Sequence, residues 1–169
     1  ALSSAASDVY KRQGEDKFSR NIAKKIIEYR ENKPIETTLE LVEIIKSAVP
    51  MKFRKDKHPA RQIFQAIRIE VNHELDVIEP ALEQALSILN VHGRVAVITF
   101  HSLEDRIVKN FFKEKCAIDK KLQGMPNIPS EYLPDYKLVI NKAIVPTEDE
   151  LKNNPRARSA KLRVIEKIK

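Results

Sequence analysis

The chain has 169 residues, 42% of them hydrophobic, which is enough to bury one full core or two small ones and excludes a disordered or fibrous protein. Cys116 is the single cysteine, which excludes an intramolecular disulfide and a cysteine-rich zinc site. The formal net charge of +7 favours an anionic partner, first of all nucleic acid, with a solvated basic surface as the alternative.

Hydropathy gives no sign of a membrane protein. No apolar stretch approaches the roughly 20 residues that a bilayer-spanning helix needs, and no signal peptide is recognisable. The cysteine content does not point to an oxidising compartment. We therefore expect a soluble, cytoplasmic protein without a membrane partner.

Glycine is scarce, and this bears on cofactor binding. The chain contains only Gly14, Gly93 and Gly124. A nucleotide or S-adenosylmethionine site of the Rossmann type needs several glycines after its first strand, so that the backbone can turn tightly and approach the ligand. We therefore expect no cofactor site in this chain.

The first segment, residues 1–13, is rich in alanine and serine and shows no periodicity that would anchor it to a core. We expect it to be disordered. It ends in DVYKRQ, which resembles a translated sequencing adapter, and native sequence is therefore expected to begin near Gly14.

Three short helices are predicted next, and together they can form a compact helical subdomain. Apolar residues at helical spacing predict the first helix, from Phe18 to Tyr29, before a break at residues 32–34. A capping box of Thr37 and Glu40 opens the second helix. A basic linker, KFRKDKHP at residues 52–59, precedes the third helix, in which Ile63, Ile67 and Val71 are predicted to share one apolar face.

The most informative stretch is residues 95–109, where an apolar strand runs directly into an amphipathic helix. Residues 95–100 are mostly β-branched or aromatic, follow the turn residue Gly93, and predict a buried strand. A helix over residues 80–89 precedes it, which gives a helix, strand, helix unit. In open α/β sheets, ligands bind beyond the carboxyl ends of the strands. The pocket candidates at this end are His101, Ser102, Glu104 and Asp105.

Two of these candidates have a simpler explanation. Ser102 followed three residues later by Asp105 fits a capping box, in which both side chains only satisfy free backbone N–H groups. We favour this capping role for Ser102 and Asp105. His101 and Glu104 are not needed for such a cap, so they are the better functional candidates.

Two strands are predicted near the end of the chain, over residues 136–144 and 161–168, because both are rich in valine, isoleucine and leucine. Between them lie a capping box at Thr147 and Glu150 and a stop at Pro155. The two strands are expected to pair as a long-looped antiparallel hairpin at a sheet edge.

Two basic elements suit phosphate contact. Arg61 and Arg68 lie near one another on the third helix, beside the basic linker. Arg156 and Arg158 follow a proline turn, where arginines can bind phosphate or stack on bases. Solvated surface arginines are the alternative for both elements. No metal site is predicted, because the four histidines lack ligand spacing with carboxylates or cysteine.

Four stretches in order, GEDKFSRNIAKKI, HPARQIFQAIRIEVNHEL, GRVAVITFHSLEDRIVK and NPRARSAKLRV, resemble the C-terminal half to two thirds of the MraW/RsmH methyltransferases. The resemblance implies an enzyme that transfers a methyl group from S-adenosylmethionine to the exocyclic N4 of a cytidine in small-subunit (16S) ribosomal RNA. The partner would be that RNA or the assembled 30S subunit.

The resemblance also implies the fold. It predicts an α/β protein, namely the C-terminal part of a Rossmann-like methyltransferase domain plus a small all-helical insertion domain. Residues 14–75 would be the insertion and residues 76–169 the C-terminal half of the catalytic domain. The family's glycine-rich loop and ribose-binding acid would precede Gly14. The chain alone is therefore expected to bind no S-adenosylmethionine and to be inactive.

The site hypothesis combines the residues and the resemblance. The predicted lining of the target pocket is His101, Ser102, Glu104 and Asp105. His101 and Glu104 are the candidates for a catalytic role, and the predicted contacts to the RNA backbone are Arg61, Arg156 and Arg158. The alternatives are a cofactor-free basic RNA-binding module and a helical protein-interaction domain.

Overall fold

The computed structural model describes residues 18–53, 60–119, 122, 124–125 and 127–169. The chain divides into two compact units, Ala1–Glu74 and Leu75–Lys169. The predictions for residues 1–13 and for most of the basic linker fall outside the described residues.

The first unit contains the three predicted helices, α1 (Ser19–Asn32), α2 (Thr38–Ala48) and α3 (Ala60–Asn72). The predicted capping box of α2 is confirmed. Thr37 Oγ1 accepts a hydrogen bond from the Glu40 backbone N–H (3.2 Å), and Glu40 Oε2 accepts one from the Thr37 N–H (3.1 Å). The start of α2 is therefore fixed by residues that are neighbours in sequence.

The core of the first unit corrects one detail of α3. Its buried residues recur at a spacing of three and are Ala60, Ile63, Ala66 and Ile69. Ile67 packs at the margin of the core, whereas Val71 is 64% exposed. The prediction that Val71 shares the buried face was wrong, because the stripe that faces α1 and α2 follows i, i+3 spacing rather than i, i+4.

The second unit packs helices on a small sheet. Its regular elements are α4 (Ile78–Ser87), β1 (Arg94–Thr99), α5 (Ser102–Lys115), β2 (Tyr136–Leu138), α6 (Glu148–Asn153) and β3 (Lys161–Lys167). A 3₁₀ turn, Pro155–Ser159, leads into β3. The buried core residues come from α4, α5 and β3 and are Leu82, Leu86, Val108, Phe111, Phe112 and Ile165.

The three strands form one antiparallel sheet in the order β1-β3-β2. The predicted antiparallel pairing of the two C-terminal strands is confirmed. Among the described strands, β2 forms one edge of the sheet, so the hairpin lies at an edge as predicted, while β3 lies in the middle between β1 and β2. The strand predicted over residues 136–144 is shorter than expected. The Val139 N–H donates a hydrogen bond to the Val164 carbonyl, and the Ile144 N–H donates one to the Leu162 carbonyl. The chain thus advances five residues, from 139 to 144, while β3 advances two, so the hydrogen bonds between the two segments cannot form a continuous ladder.

The prediction that β1 is a buried strand was also wrong in part. Val95 and Val97 pack against the helix-covered core, and Thr99 is only 3% exposed. Ile98, which points to the other face, is 59% exposed. Burial of both faces needs a covering layer on each side of the sheet, and the described helices cover only one face of β1.

Candidate functional site

The first turn of α5 begins directly after β1 and is closed by a capping box one residue earlier than predicted. His101 has the extended backbone of an N-cap, and its Nδ1 accepts a hydrogen bond from the Glu104 N–H (3.4 Å). Glu104 Oε2 accepts from the N–H groups of Phe100 (2.8 Å) and His101 (3.2 Å). Ser102 is already the first helical residue, so the predicted Ser102 and Asp105 cap was wrong.

The reason is chemical and was visible in the sequence. A capping box needs a side chain at its third helical position that reaches back to the N-cap N–H, and glutamate does this where the shorter aspartate does not. Both pairs have the spacing of three, but only the pair of His101 and Glu104 has the longer carboxylate at the third helical position. The expectation that His101 and Glu104 take no part in capping is therefore corrected, because both cap α5.

The other ring nitrogen of His101, Nε2, takes no part in capping α5. Because Nδ1 accepts a hydrogen bond, the proton of neutral His101 lies on Nε2. His101 Nε2 lies 3.2 Å from Glu104 Oε1 but has no hydrogen-bond partner of good geometry, although the atom is buried. Glu104 is 26% exposed at its side chain. Its Oε1 thus faces an imidazole N–H while its Oε2 is held by backbone amides.

Asp105 lies on the inner side of α5 and is 8% exposed. Its Oδ1 accepts from Arg163 Nε (2.7 Å), and its Oδ2 accepts from Arg163 Nη2 (3.2 Å) and Lys161 Nζ (3.1 Å). The hydrogen bond from Arg163 is the main cause that lowers the pKa of Asp105, and Lys161 adds to it. Asp105 is therefore an ionised anchor that ties the start of α5 to β3.

Sequence reasoning missed Lys161 and Arg163 as parts of this site. They alternate with apolar residues in β3, so both point to the helix-covered face of the sheet. Two cations at a period of two, both on the covered face of a sheet, favour an acidic partner nearby. That signal was available, but the partner Asp105 is 58 residues away from Arg163.

The predicted RNA-binding arginines of the second unit lie in the 3₁₀ turn before β3. Arg156 and Arg158 are exposed on either side of Ala157, which is 6% exposed and anchors the turn. Because β3 is antiparallel to β1, its first residue Lys161 lies opposite Thr99, the last residue of β1. The arginine turn therefore stands at the same end of the sheet as His101.

Arg61 lies on α3 in the first unit and is exposed. Arg68 on the same helix donates to Glu74 through Nε (2.8 Å) and Nη2 (3.0 Å). Arg61 therefore fits a contact with phosphate better than Arg68, whose guanidinium already has a bidentate acidic partner.

The described glycines do not form a cradle for S-adenosylmethionine. A Cβ atom at Gly93 would lie 2.8 Å from the Asn90 carbonyl oxygen, so this glycine serves the tight turn before β1. Gly124 has a φ of +96° and open space around it. Neither glycine lies between a strand and the start of a helix, which is where such a cradle is built. The residues described here do not fit this cofactor.

Two further findings concern the described residues. They contain no group of three or more histidine, cysteine or acidic side chains that could hold a metal ion. None of the helices in the described part of the chain is long and apolar enough to cross a bilayer.

Comparison with known proteins decides the family. Residues 3–168 match the model of the MraW methylase family. The chain belongs to this family. The resemblance found in the four sequence stretches is thereby confirmed, and the mixed helix and sheet architecture agrees with an α/β methyltransferase fragment. The match also includes most of residues 1–13.

Its curated relatives are named ribosomal RNA small subunit methyltransferase H. The one from Lactiplantibacillus plantarum is 54% identical over 162 residues, which are 95% of this chain and 51% of the relative. The one from Lactobacillus delbrueckii subsp. bulgaricus is 55% identical over 163 residues, or 96% of this chain and 52% of the relative. This MraW family chain thus spans about half the length of the curated relatives it matches, and the prediction of an enzyme family is confirmed.

Proposed function

We propose that this chain is the substrate side of an enzyme that transfers a methyl group from S-adenosylmethionine to N4 of a cytidine in small-subunit ribosomal RNA. The observation that carries the proposal is the juxtaposition of the His101 and Glu104 pair with the exposed arginine turn at one end of the sheet. In this proposal residues 14–75 are the helical insertion of the catalytic domain, and residues 76–169 are its C-terminal half.

The chemistry gives Glu104 its role. The N4 lone pair of cytosine is delocalised into the ring, so the amine is a poor nucleophile and needs alignment and a hydrogen-bond acceptor. Glu104 Oε2 is fixed by the N–H groups of Phe100 and His101. Its Oε1 is then left to accept a hydrogen bond from the N4 amine, and His101 holds the Glu104 backbone in place through Nδ1. Ser102, exposed beside them, is the third proposed pocket residue.

Asp105 contributes by position and not by contact. It completes the predicted pocket set, but its carboxylate is bound to Arg163 and Lys161 of β3. We assign it to holding the first turn of α5, and with it Glu104, at a fixed distance from the sheet.

The exposed arginines are proposed to bind the phosphate backbone of the RNA. Arg156 and Arg158 lie on a short turn whose middle residue, Ala157, is buried and which leads into β3. Exposed guanidinium groups on a turn that is anchored in this way suit phosphate oxygens. Arg61 provides a further contact from the helical unit. The proposed partner is small-subunit ribosomal RNA, free or in the 30S subunit.

The methyl donor would be bound outside this chain, because the described residues do not fit it. The chain alone is then inactive. Activity is testable in a fusion protein that joins this chain to the part of the Lactiplantibacillus plantarum relative that it does not match. If S-adenosylmethionine binds to the fusion protein but not to this chain alone, the donor site lies in the other part of the enzyme, as proposed. A fusion protein that binds RNA but no S-adenosylmethionine would favour the cofactor-free RNA-binding module.

The pocket test uses Glu104→Gln and His101→Ala in that fusion protein. Both should lower turnover at saturating donor at least about tenfold, since one removes the charged acceptor and the other removes the N-cap that holds the Glu104 backbone. Affinity for S-adenosylmethionine should stay unchanged. Thr37→Ala is the matched control, because it also removes an N-cap acceptor, but at α2, a helix that carries none of the proposed site residues. Normal turnover in both site variants would reduce this pair to a helix cap.

The RNA test uses the double variant Arg156→Ala and Arg158→Ala. RNA affinity measured by fluorescence anisotropy should fall, and the slope of log affinity against log salt should decrease by about 0.7 to 0.9 for each lost phosphate contact. The control is Arg20→Ala with Arg30→Ala, two exposed arginines of α1 that give the same change in net charge. Unchanged affinity and slope would remove the arginine turn from the interface.

A further inference from the structure

The exposed face of α5 carries a row of cations that begins at the proposed pocket. Arg106, Lys109 and Lys113 are all exposed. An α-helix has about 3.6 residues per turn, so these three side chains lie within about 60° of one another around the helix axis, and Ser102 lies in the same sector. Ser102 is one of the proposed pocket residues. At a rise of about 1.5 Å per residue, the row ends roughly 16 Å from Ser102.

Acidic side chains of the described residues do not neutralise this row. In the part of the chain that the structure describes, the three cations form no ion pair and no side-chain hydrogen bond. Glu104 and Asp105 are engaged by backbone amides and by β3, and Glu114 lies outside the sector of the row. On the opposite side of α5, Lys115 Nζ pairs with Glu83 Oε1 at 2.6 Å. The row is thus open to an anionic ligand.

The stability of α5 does not account for these cations. The helix dipole favours a cation only in the last turn, which contains Lys113 but neither Arg106 nor Lys109. Lys109 and Lys113 stand four residues apart in the helix, and like charges at this spacing destabilise it. The members of the row therefore repel one another, and a bound anion would relieve this repulsion.

We propose that Arg106, Lys109 and Lys113, together called the α5 stripe, bind successive phosphates of a single-stranded RNA segment beside the target cytidine. This inference rests on the proposed function, which brings that cytidine to the first turn of α5. An enzyme that modifies a base acts on a single strand or takes the base out of the stack. The segment next to the pocket is therefore unpaired, and a line of exposed cations suits its phosphate backbone.

The α5 stripe is suited to hold the backbone without reading the bases. Proteins that bind the bases of a single strand stack them on exposed aromatic side chains. The aromatic residues of α5, Phe111 and Phe112, are both buried in the core. We therefore expect affinity to depend on the charge of the flanking phosphates and not on the identity of the flanking bases.

The first test measures binding of fluorescein-labelled oligocytidine to the full chain by fluorescence anisotropy. The stripe variant combines Arg106→Gln, Lys109→Gln and Lys113→Gln. Its affinity should fall at least about tenfold, and the slope of log affinity against log salt should decrease by about 0.7 for each lost phosphate contact. A control with the same change in net charge replaces three exposed cations of α1 by glutamine, namely Arg20, Lys24 and Arg30. It should have a much smaller effect.

Two neighbouring lysines provide a matched pair of single variants. Lys113 and Lys115 both lie in the last turn of α5 and interact alike with the helix dipole. Only Lys113 belongs to the α5 stripe. Lys113→Gln should therefore lower the salt slope by about 0.7, whereas Lys115→Gln should leave it unchanged.

A second measurement assigns the effect to phosphates. The probe is an oligocytidine in which the phosphates on one side of a central cytidine are replaced by uncharged methylphosphonates. For one of the two sides, this replacement should weaken binding to the unaltered chain but not to the stripe variant, because the contacts are already lost there. An oligonucleotide with abasic residues on that side, which keeps the phosphates, should bind as well as oligocytidine.

Three results would overturn the proposal. The first is equal weakening by the stripe variant and the α1 control, which would leave only an effect of net charge. The second is a stripe effect that persists with neutral linkages on either side. The third is the absence of RNA binding by both the full chain and the fusion protein.

Kinetics of the fusion protein separate this proposal from the proposed function. The stripe variant should raise KM for RNA at least about tenfold and leave turnover at saturating RNA unchanged, because the stripe does not touch the reacting atoms. Methyl transfer with an unchanged KM would refute the α5 stripe alone. A fusion protein that transfers no methyl group but loses RNA affinity in the stripe variant would support the stripe and refute the proposed function.

Discussion

Asp105→Asn is the substitution that best tests how the site is held. The carboxylate is bound by Arg163 at 2.7 and 3.2 Å and by Lys161 at 3.1 Å, and the Asp105 and Arg163 side chains are 11% and 14% exposed. Asparagine keeps one acceptor oxygen but loses the charge, so Arg163 is left partly unpaired within the structure.

The expected cost follows from this geometry. Removing one partner of a buried ion pair costs about 3–5 kcal/mol. Lys161 is 41% exposed and can turn to water, and the asparagine oxygen retains one bond. We therefore expect the free energy of unfolding to fall by about 3 kcal/mol, at the low end of that range.

Urea unfolding of the full chain, followed by far-UV circular dichroism, measures this change. Asp149→Asn is the matched control, because Asp149 also lies in the first turn of a helix and pairs with a lysine, but its side chain is 87% exposed. The control should change stability by less than about 0.5 kcal/mol. Equal, small effects of the two variants would refute the role of Asp105 as an anchor.

The pH dependence gives a second check on the same residue. The hydrogen bond from Arg163 lowers the pKa of Asp105 in the folded chain. A carboxyl group whose pKa is lowered by folding contributes its full stabilisation above its pKa in the unfolded chain, which is about 3.9 for aspartate. It loses this contribution as the pH falls through its pKa in the folded chain. The difference in the free energy of unfolding between the native chain and Asp105→Asn should therefore be constant near neutral pH and shrink below about pH 4.

Three other predictions concern the fold. The pKa of Glu40 is lowered to about 2, mainly by the hydrogen bond from the Glu36 N–H, and an NMR titration should measure this value. The stabilisation that the Glu40 carboxylate gives to the start of α2 should be lost as the pH falls from about 4.5 toward 2. Ile45→Ala should cost about 2–5 kcal/mol in urea unfolding, because Ile45 is 0% exposed, whereas Leu39→Ala, at a residue 75% exposed on the same helix, should be nearly neutral. Gly93→Ala should lower the melting temperature, because its Cβ would lie 2.8 Å from a backbone oxygen, and an unchanged value would show that this turn can relax.

Local signals predicted the helices well. The capping box of Thr37 and Glu40 involves residues three apart, and the apolar stripe of α1 needs only helical geometry, so both could be read from short windows of sequence. The cap of α5 was predicted one residue too late, because serine is a more common N-cap residue than histidine.

Long-range features were not predictable in the same way. The Asp105 anchor joins residues from α5 and β3, and no local pattern fixes which cation an acid will meet. The exposure of Ile98 depends on which elements cover each face of the sheet, and the sequence of β1 alone does not determine this. The position of β3 between β1 and β2 likewise depends on pairing across the whole second unit.

The most direct measurement is methyl transfer from labelled S-adenosylmethionine to small-subunit ribosomal RNA by the fusion protein of this chain and the unmatched half of the Lactiplantibacillus plantarum relative. We predict label on N4 of a cytidine with the fusion protein, none with this chain alone, and a large loss in the Glu104→Gln variant. A folded fusion protein that binds the donor and the RNA but transfers no label, or one whose activity is unaffected by Glu104→Gln, would contradict the proposed site.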